Sequence, residues 1–441
     1  MKDQATTVPG TREVGRIRTV LDVLSGRRKV YYGWWLLAGA VVAMAVGSGV
    51  SFWSLTLYVE PLEKEFGWSR AEVTGAISVS VGAAGLFGPL VGRWIDTRGP
   101  RTVILVGAVL TAASYILMST TANLWQWYLY SSINSVFRTM MFFLPFQALV
   151  SRFFDRKRGL ALGILGTGFS LGGFLIVPLM AQIIGRFDWN GSFVASGLII
   201  VTIFVPIGLF LVKNSPAEAG TFVDGDIPLD RTAPPAAATG MKLGEAVRTP
   251  FFWVVAIAVT LFFYGMFGWL VHQVPFYESV GMSTATGSLI VAMGAGLGIF
   301  TRLGFGIVVD RVHSIELAGT VLAACLFAAL GTFWLSTGPV AVAVFLAFWV
   351  VGAGGGPMLE ALILTRAFGV AHFATIFGVF IVVETLGQVT SPVLAGYLYD
   401  RTGSYDVVLT MWMSTFVVAA VLFFVASRMA RPQWAGNPRP S

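Results

Sequence analysis

Five ionisable side chains sit inside or near the ends of long apolar stretches: Arg138, His272, Arg302, Glu360 and Glu384. A charge at that depth costs roughly 2.5–3.5 kcal/mol on insertion scales, so one that is kept faces a cavity or a partner. Arg302 lies within the glycine-rich segment 296–306. Its planar fork can hold a carboxylate by two parallel hydrogen bonds; the alternative is an arginine snorkelling to the nearby headgroups. Arg138 sits about 18–20 Å from either end of its apolar run, at 1.5 Å per residue, too far to snorkel. It must line a watery cavity, where it would meet substrate, or pair with Glu384 or Glu360. Glu384, near the middle of its run, could carry a proton or be locked to an arginine. Glu360 lies within about two turns of a run's end, which suits a capping or interfacial role. His272 is one turn from a run's end; it can take up a proton near neutral pH or make an interfacial hydrogen bond.

The elements that must position these groups are membrane helices. The chain has 441 residues, 56% hydrophobic and 12% charged, where a soluble domain carries about 25% charged residues. Twelve runs are long enough to span a bilayer as helices: 31–57, 73–95, 102–121, 125–150, 159–184, 192–212, 250–276, 285–309, 316–335, 339–365, 371–396 and 406–427. The expected fold is all-α, with twelve spans in two six-helix bundles. The division follows from a repeat at a constant offset of 214 positions. Pro61, Gly67, Ser69, Gly92, Asp96, Phe154 and Pro178 return as Pro275, Gly281, Ser283, Gly306, Asp310, Phe368 and Pro392. Two parallel copies of a helical bundle around a cavity is how many secondary transporters are built.

Of the 29 Lys and Arg residues, 23 fall on one face, which places both termini in the cytoplasm. Lys64, Arg70, Arg186 and Arg401 fall on the other face. The expected organisation is a cytoplasmic tail (1–30), a first bundle (31–212), a Pro/Ala-rich linker (213–249), a second bundle (250–428) and a second tail (429–441). The first 29 residues are polar and basic, without the apolar core of a signal peptide. One cysteine, Cys325, excludes an intramolecular disulfide and a cysteine metal site. No Walker-type phosphate loop is present, and Gly294–Gly298 lies inside an apolar run where close helix packing explains it. Three scattered histidines build neither a catalytic triad nor a zinc motif. Neither a cofactor nor a metal is expected. Nor is a nucleic-acid partner, because the basic residues are spread over many short loops.

Gly92-Arg93-Trp94-Ile95-Asp96-Thr97-Arg98-Gly99-Pro100-Arg101 resembles the G-x-x-x-D-x-x-G-x-R motif of the major facilitator superfamily, with a second copy over 306–311. Phe153-Phe154-Asp155-Arg156-Lys157-Arg158-Gly159-Leu160-Ala161-Leu162-Gly163 is similar to a stretch of monocarboxylate transporters. The segments 66–70 and 272–276 resemble outer loops of their bacterial relatives, the oxalate–formate antiporter branch included. The resemblance covers residues 31–428. It implies alternating access about a central site, with Arg302 holding the substrate carboxylate. Asp96 and Asp310, with the neighbouring Arg101 and Arg311, would form a cytoplasmic gate. The sequence also departs from the family. Gly298 stands where eukaryotic members have an aspartate one turn before the arginine, Tyr32 where an acid is usual, and 41–57 has no lysine. Glu384 and Gln388 stand in the run where the oxalate–formate branch has a lysine, so the family's coupling residues do not carry over.

The expectation is therefore a secondary transporter of small organic carboxylates in the cytoplasmic (inner) membrane, driven by a proton or by anion exchange. Arg302 and Arg138 are its candidate substrate-binding residues, and Glu384 and His272 its candidate proton carriers. The alternative is a drug or amphiphile exporter on the same fold. The basic cavity residues and the lack of a Gly-Pro dipeptide in 163–178 speak against it.

Overall fold

The computed structural model describes residues 30–226 and 238–434. Expectations about 1–29, the middle of the linker and 435–441 lie outside them. The spans are α1 (Tyr32–Phe66), α2 (Arg70–Arg98), α3 (Pro100–Ser119), α4 (Leu124–Phe153), α5 (158–187), α6 (189–211), α7 (Pro250–Ser279), α8 (Thr284–Val309), α9 (Ile315–Leu335), α10 (Pro339–Phe368), α11 (Phe373–Thr402) and α12 (Asp406–Arg428). α5 and α6 form one 54-residue helical stretch. At 1.5 Å per residue that is about 80 Å, far more than the roughly 30 Å hydrocarbon core. The stretch breaks at Asp188, whose φ of 55° is left-handed, so a single residue takes the place of the expected loop.

Two spans contain breaks that the hydropathy pattern does not reveal. α1 stops being α-helical at Ser51 and continues through a 3-10 turn, Trp53–Tyr58. α4 breaks at Phe142. Pro145 accounts for the second: it has no N–H to return to the carbonyl of Met141, four residues earlier.

Most of the repeated positions have a physical task. Gly67 (φ 68°) and Gly281 (φ 86°) adopt left-handed turns that a side chain would strain. Ser69 and Ser283 then cap the following helices, accepting from the N–H of Glu72 (3.3 Å) and Thr286 (3.1 Å). Phe154 packs against Tyr31 and Trp34, and Phe368 against Phe251 and Phe252. Gly92 and Gly306 bring backbones together across the bundles. A Cβ at Gly92 would lie 2.0 Å from the Ala374 carbonyl oxygen, and one at Gly306 would lie 2.6 Å from that of Gly159.

The bundles meet along two seams, α2 with α11 and α5 with α8. The hydrogen bonds that cross between bundles run through Asp96, Gln147, Gly159, Leu160 and Ser170 on the first. All lie in the half of the molecule that carries the α2–α3 connection and the linker. Among the described residues none lies in the opposite half. The linker end is closed. Residues 214–226 are fastened to the first bundle, and Thr239–Met241 pair with Phe368–Val370 of the second (Met241 N–H to Phe368 O, 2.8 Å).

Candidate functional site

The two repeated aspartates close the linker end, each by capping a helix of the opposite bundle. Asp96, at the end of α2, accepts from the N–H of Thr375 (2.8 Å) and Ala374 (3.3 Å) and from the Thr375 hydroxyl (2.7 Å) at the start of α11. Arg152 of α4 adds an ion pair at 3.4 Å. Asp310, just past α8, accepts from the N–H of Gly159 (2.6 Å) and Leu160 (3.0 Å) at the start of α5. Burial raises the Asp310 carboxyl above its ordinary value, and the Leu160 and Gly159 amides pull it part of the way back. A carboxylate at the end of its own helix opposes that helix's dipole but suits a partner's N-terminus. The contact is therefore favourable only while the bundles touch.

The two expected arginine partners take no part in these contacts. Arg101 fastens the linker instead. It donates to the carbonyls of Gly208 (3.1 Å) and Leu209 (2.8 Å), pairs with Glu218 (3.6 Å), and its backbone N–H bonds Asn214. The Arg311 side chain is exposed and makes no bond among the described residues. Arg152, which does join the gate, returns at the same 214-position offset as Arg366, which donates to the Val309 and Val312 carbonyls beside Asp310; that repeat is the signal that could have found it.

Arg302 sits on the seam between bundles, just above the closed end. Its backbone lies against glycines of α5 and α10: a Cβ at Gly163 would be 2.8 Å from the Arg302 carbonyl oxygen, and one at Gly354 would be 3.6 Å from its nitrogen. Gly166 leaves room for the side chain. Nη1 donates across the interface to the Ser170 hydroxyl. A guanidinium has five N–H donors; the others have no partner among the described residues, and no carboxylate is paired with it. Gly298 keeps it so, because a Cβ there would stand 3.7 Å from Nη1. On the first bundle, Phe169 adjoins Ser170 and packs with Phe52, Trp53 and Phe142. Trp53 Nε1 and Ser48 Oγ both donate to the Phe169 carbonyl (2.9 and 3.0 Å). The helix breaks at Phe52 and Phe142 thus join an aromatic cluster that includes Phe169, the residue before Ser170.

Arg138 pairs with neither Glu384 nor Glu360, correcting that expectation. It donates to the carbonyl of Ser51 and to the Ser135 hydroxyl (3.1 Å). The Ser51 hydroxyl accepts from Tyr115 (2.9 Å). Ser51 is the last α-helical residue before the α1 break, so Arg138 supplies a donor where the helix has stopped supplying one.

Glu384 is buried (6% exposed) on α11, beside Gln388. Glu360 is also buried (3% exposed), two turns inside α10, so it is neither capping nor interfacial. His272 is held within the second bundle. Its Nε2 lies 2.9 Å from the Pro392 carbonyl and its Nδ1 3.1 Å from the Tyr405 hydroxyl. A carbonyl can only accept, so Nε2 carries the proton and Nδ1 accepts from Tyr405. Burial pushes the Tyr405 hydroxyl up to about 12, which keeps it a donor. The second-bundle residues Arg302, Glu360 and Glu384 therefore share α8, α10 and α11, whereas Arg138 and His272 each serve their own bundle.

Two membrane bundles joined by bonds at one end, with an unneutralised arginine beside the seam, define a multi-pass membrane transporter of small molecules rather than an enzyme. The chain belongs to the Major Facilitator Superfamily, whose family profile matches residues 37–392. It is 25% identical over 401 residues to monocarboxylate transporter 13 of Bos taurus, covering 90% of this chain and 88% of that one. It is 25% identical over 404 residues to the oxalate:formate antiporter of Oxalobacter formigenes, covering 90% and 93%. Among solved structures it resembles the proton:xylose symporter XylE (TM-score 0.70, 13% identity, 89% of this chain and 95% of that one). It also resembles FucP in its outward conformation (TM-score 0.68, 14% identity, 89% and 97%). These structural likenesses establish the fold alone.

Proposed function

We propose that the protein is a secondary transporter of small organic carboxylates, working by alternating access in the cytoplasmic membrane and driven by a proton or by exchange for another anion. The observation that carries this reading is Arg302. It is a fixed positive charge inside a membrane helix, with no neutralising acid among the described residues, and it reaches across the bundle interface to Ser170. Substrate bound there touches both bundles and so feels their relative motion. With the linker end on the cytoplasmic side, as the Lys/Arg distribution suggests, the closed linker end makes this an outward-facing state. Phe52, Trp53, Phe142 and Phe169 would cover the apolar part of a short acid. The names of the monocarboxylate and oxalate:formate relatives support the substrate class.

Millimolar to micromolar binding needs about 4–8 kcal/mol. A forked charge-assisted pair at roughly 1.5–3 kcal/mol per bond, plus aromatic burial, supplies that range. The test is uptake of labelled lactate, pyruvate and oxalate into proteoliposomes by wild type, Arg302→Ala and Arg302→Lys. The reading expects both variants to lose uptake, the lysine less completely because it keeps charge without the fork. Normal uptake by Arg302→Ala would remove the arginine from the site.

A further inference from the structure

Two buried acceptors lack donors. Glu360 Oε1 has no hydrogen-bond partner, and neither does Gln147 Oε1 of α4. The Gln147 amide is anchored across the interface, its Nε2 donating to the Pro357 carbonyl at 3.3 Å. Pro357 is one turn before Glu360 on α10, so both orphaned oxygens lie near the same level of the closing seam. An ionised carboxylate can only accept, and leaving it buried and unbonded is among the costlier arrangements in a fold. A carboxylic acid brings its own donor.

Among the described residues, the charged group that bears on Glu360 is a second carboxylate, Glu384 of α11. None of the other charged groups on α10 or on the elements packed against it bonds Glu360 among the described residues. Arg302 (α8) bonds Ser170, and Glu316 (α9) pairs with Arg431 at 2.9 Å. His272 (α7) is held by Tyr405 and Pro392. Arg158 (α5) pairs with Asp155 at 3.0 Å, and Arg152 (α4) with Asp96 at 3.4 Å. Arg366, on α10 itself, donates to the Val309 and Val312 carbonyls. Two like charges with no cation between them cannot both stay ionised at low cost, and a single shared proton relieves the pair.

We propose that Glu360 and Glu384 together hold one transported proton, with Glu360 as its seat in the closed state. Closure of the linker end brings Gln147 to Pro357 and seals Glu360 from that side, so the proton reaches the pair from the opposite, open end by way of Glu384. It leaves when the seam opens and water reaches the carboxylate. No bond other than the acid O–H is made or broken. The substrate and the proton then sit on opposite sides of α8: the anion on Arg302 at the α5 face, the proton between α10 and α11. This deepens the carboxylate reading and rests on it only for the uptake arm of the test.

The first arm needs no substrate. Infrared difference spectra of the full chain in nanodiscs, recorded across pH, read the carbonyl stretch of a protonated carboxyl. That band should appear in wild type and be lost in Glu360→Gln, while Glu384→Gln shifts its pH midpoint. A band that persists unchanged in both variants overturns the proposal. The second arm measures labelled lactate and oxalate in proteoliposomes. Glu360→Gln should lose accumulation driven by an imposed pH gradient, and its counterflow should cease to respond to pH. Gradient-driven accumulation at the wild-type level refutes the assignment. If Glu360→Gln does not fold, Glu360→Asp keeps the acid on a shorter stem and should move the midpoint; an unmoved midpoint counts against it. If wild type takes up neither acid, the carboxylate reading fails while the infrared arm still decides the proton site.

Discussion

Arg138 and Arg302 are the same residue type inside membrane spans, Arg138 midway along α4 and Arg302 nearer the linker end of α8, and their surroundings divide them. Arg138 makes its two bonds inside the first bundle, to Ser135 and to the Ser51 carbonyl that the interrupted helix α1 leaves to be met. Arg302 has one bond, to Ser170 of the other bundle, and glycines at 166 and 298 in place of neighbours. An intramembrane charge is therefore not a site in itself. What distinguishes a brace from a ligand is whether its donors are already used and whether its partner belongs to the body that moves.

The largest effect expected from this contrast is at Arg302. Arg302→Ala removes two charge-assisted bonds to substrate, roughly 3 kcal/mol or more, which is upwards of a hundredfold in affinity. Its melting temperature should stay near that of wild type, as measured by thermal shift alongside uptake. Gly298→Asp comes next. It places an acid against a guanidinium that now has none, at a site where a Cβ fits. Carboxylate uptake should fall at neutral pH and recover as the pH is lowered and the new acid takes a proton; uptake that is flat with pH would contradict the geometry. Arg138→Ala should show the opposite pattern to Arg302→Ala. Losing the donor to the Ser51 carbonyl costs about 1–3 kcal/mol of stability, visible as a lower melting temperature and yield. Transport per folded molecule should fall far less than in Arg302→Ala. The smallest effect separates the two gate aspartates. Asp96→Ala should open the linker end more than Asp310→Ala, since Asp96 also holds the Thr375 hydroxyl and Arg152. Each interaction at a helix start is worth about 0.3–2 kcal/mol, and labelling of a cysteine placed at 374 or 160 would rank them.

Much of this architecture is legible in the sequence. The spans follow from apolar runs, and the 214-position repeat picked out Gly92, Asp96, Gly306 and Asp310, the residues that close the seam. It could do so because turns, caps and backbone contacts tolerate few residue types. The missed features are those in which the partner is a carbonyl or a break in a helix. From the sequence Arg138 calls for a watery cavity with substrate or for an acid, because the Ser51 carbonyl that it meets has no side-chain signature. The break at Phe142 had a signal in Pro145, but the break after Ser51 had only the weak helix formers Gly47-Ser48-Gly49. Glu360 reads as interfacial from sequence because linear distance to a run's end says nothing about what packs over it. Arg101 lies in the motif that contains Asp96, yet it turns to the linker, whose path the motif does not encode.

Where Gly88 meets Gly378, and Gly92 meets Ala374, the bundles touch through main chain, with each added Cβ falling 2.0–2.8 Å from a carbonyl oxygen. A joint made this way has few rotamers to unlock when it parts and few to reorder when it mates again, so conformational entropy is nearly the same on both sides of the step. The rate of alternation would then be set by a handful of polar contacts at its rim. Bulk added along the joint, as in Gly378→Ala, would hold the molecule ajar without touching any group that meets cargo.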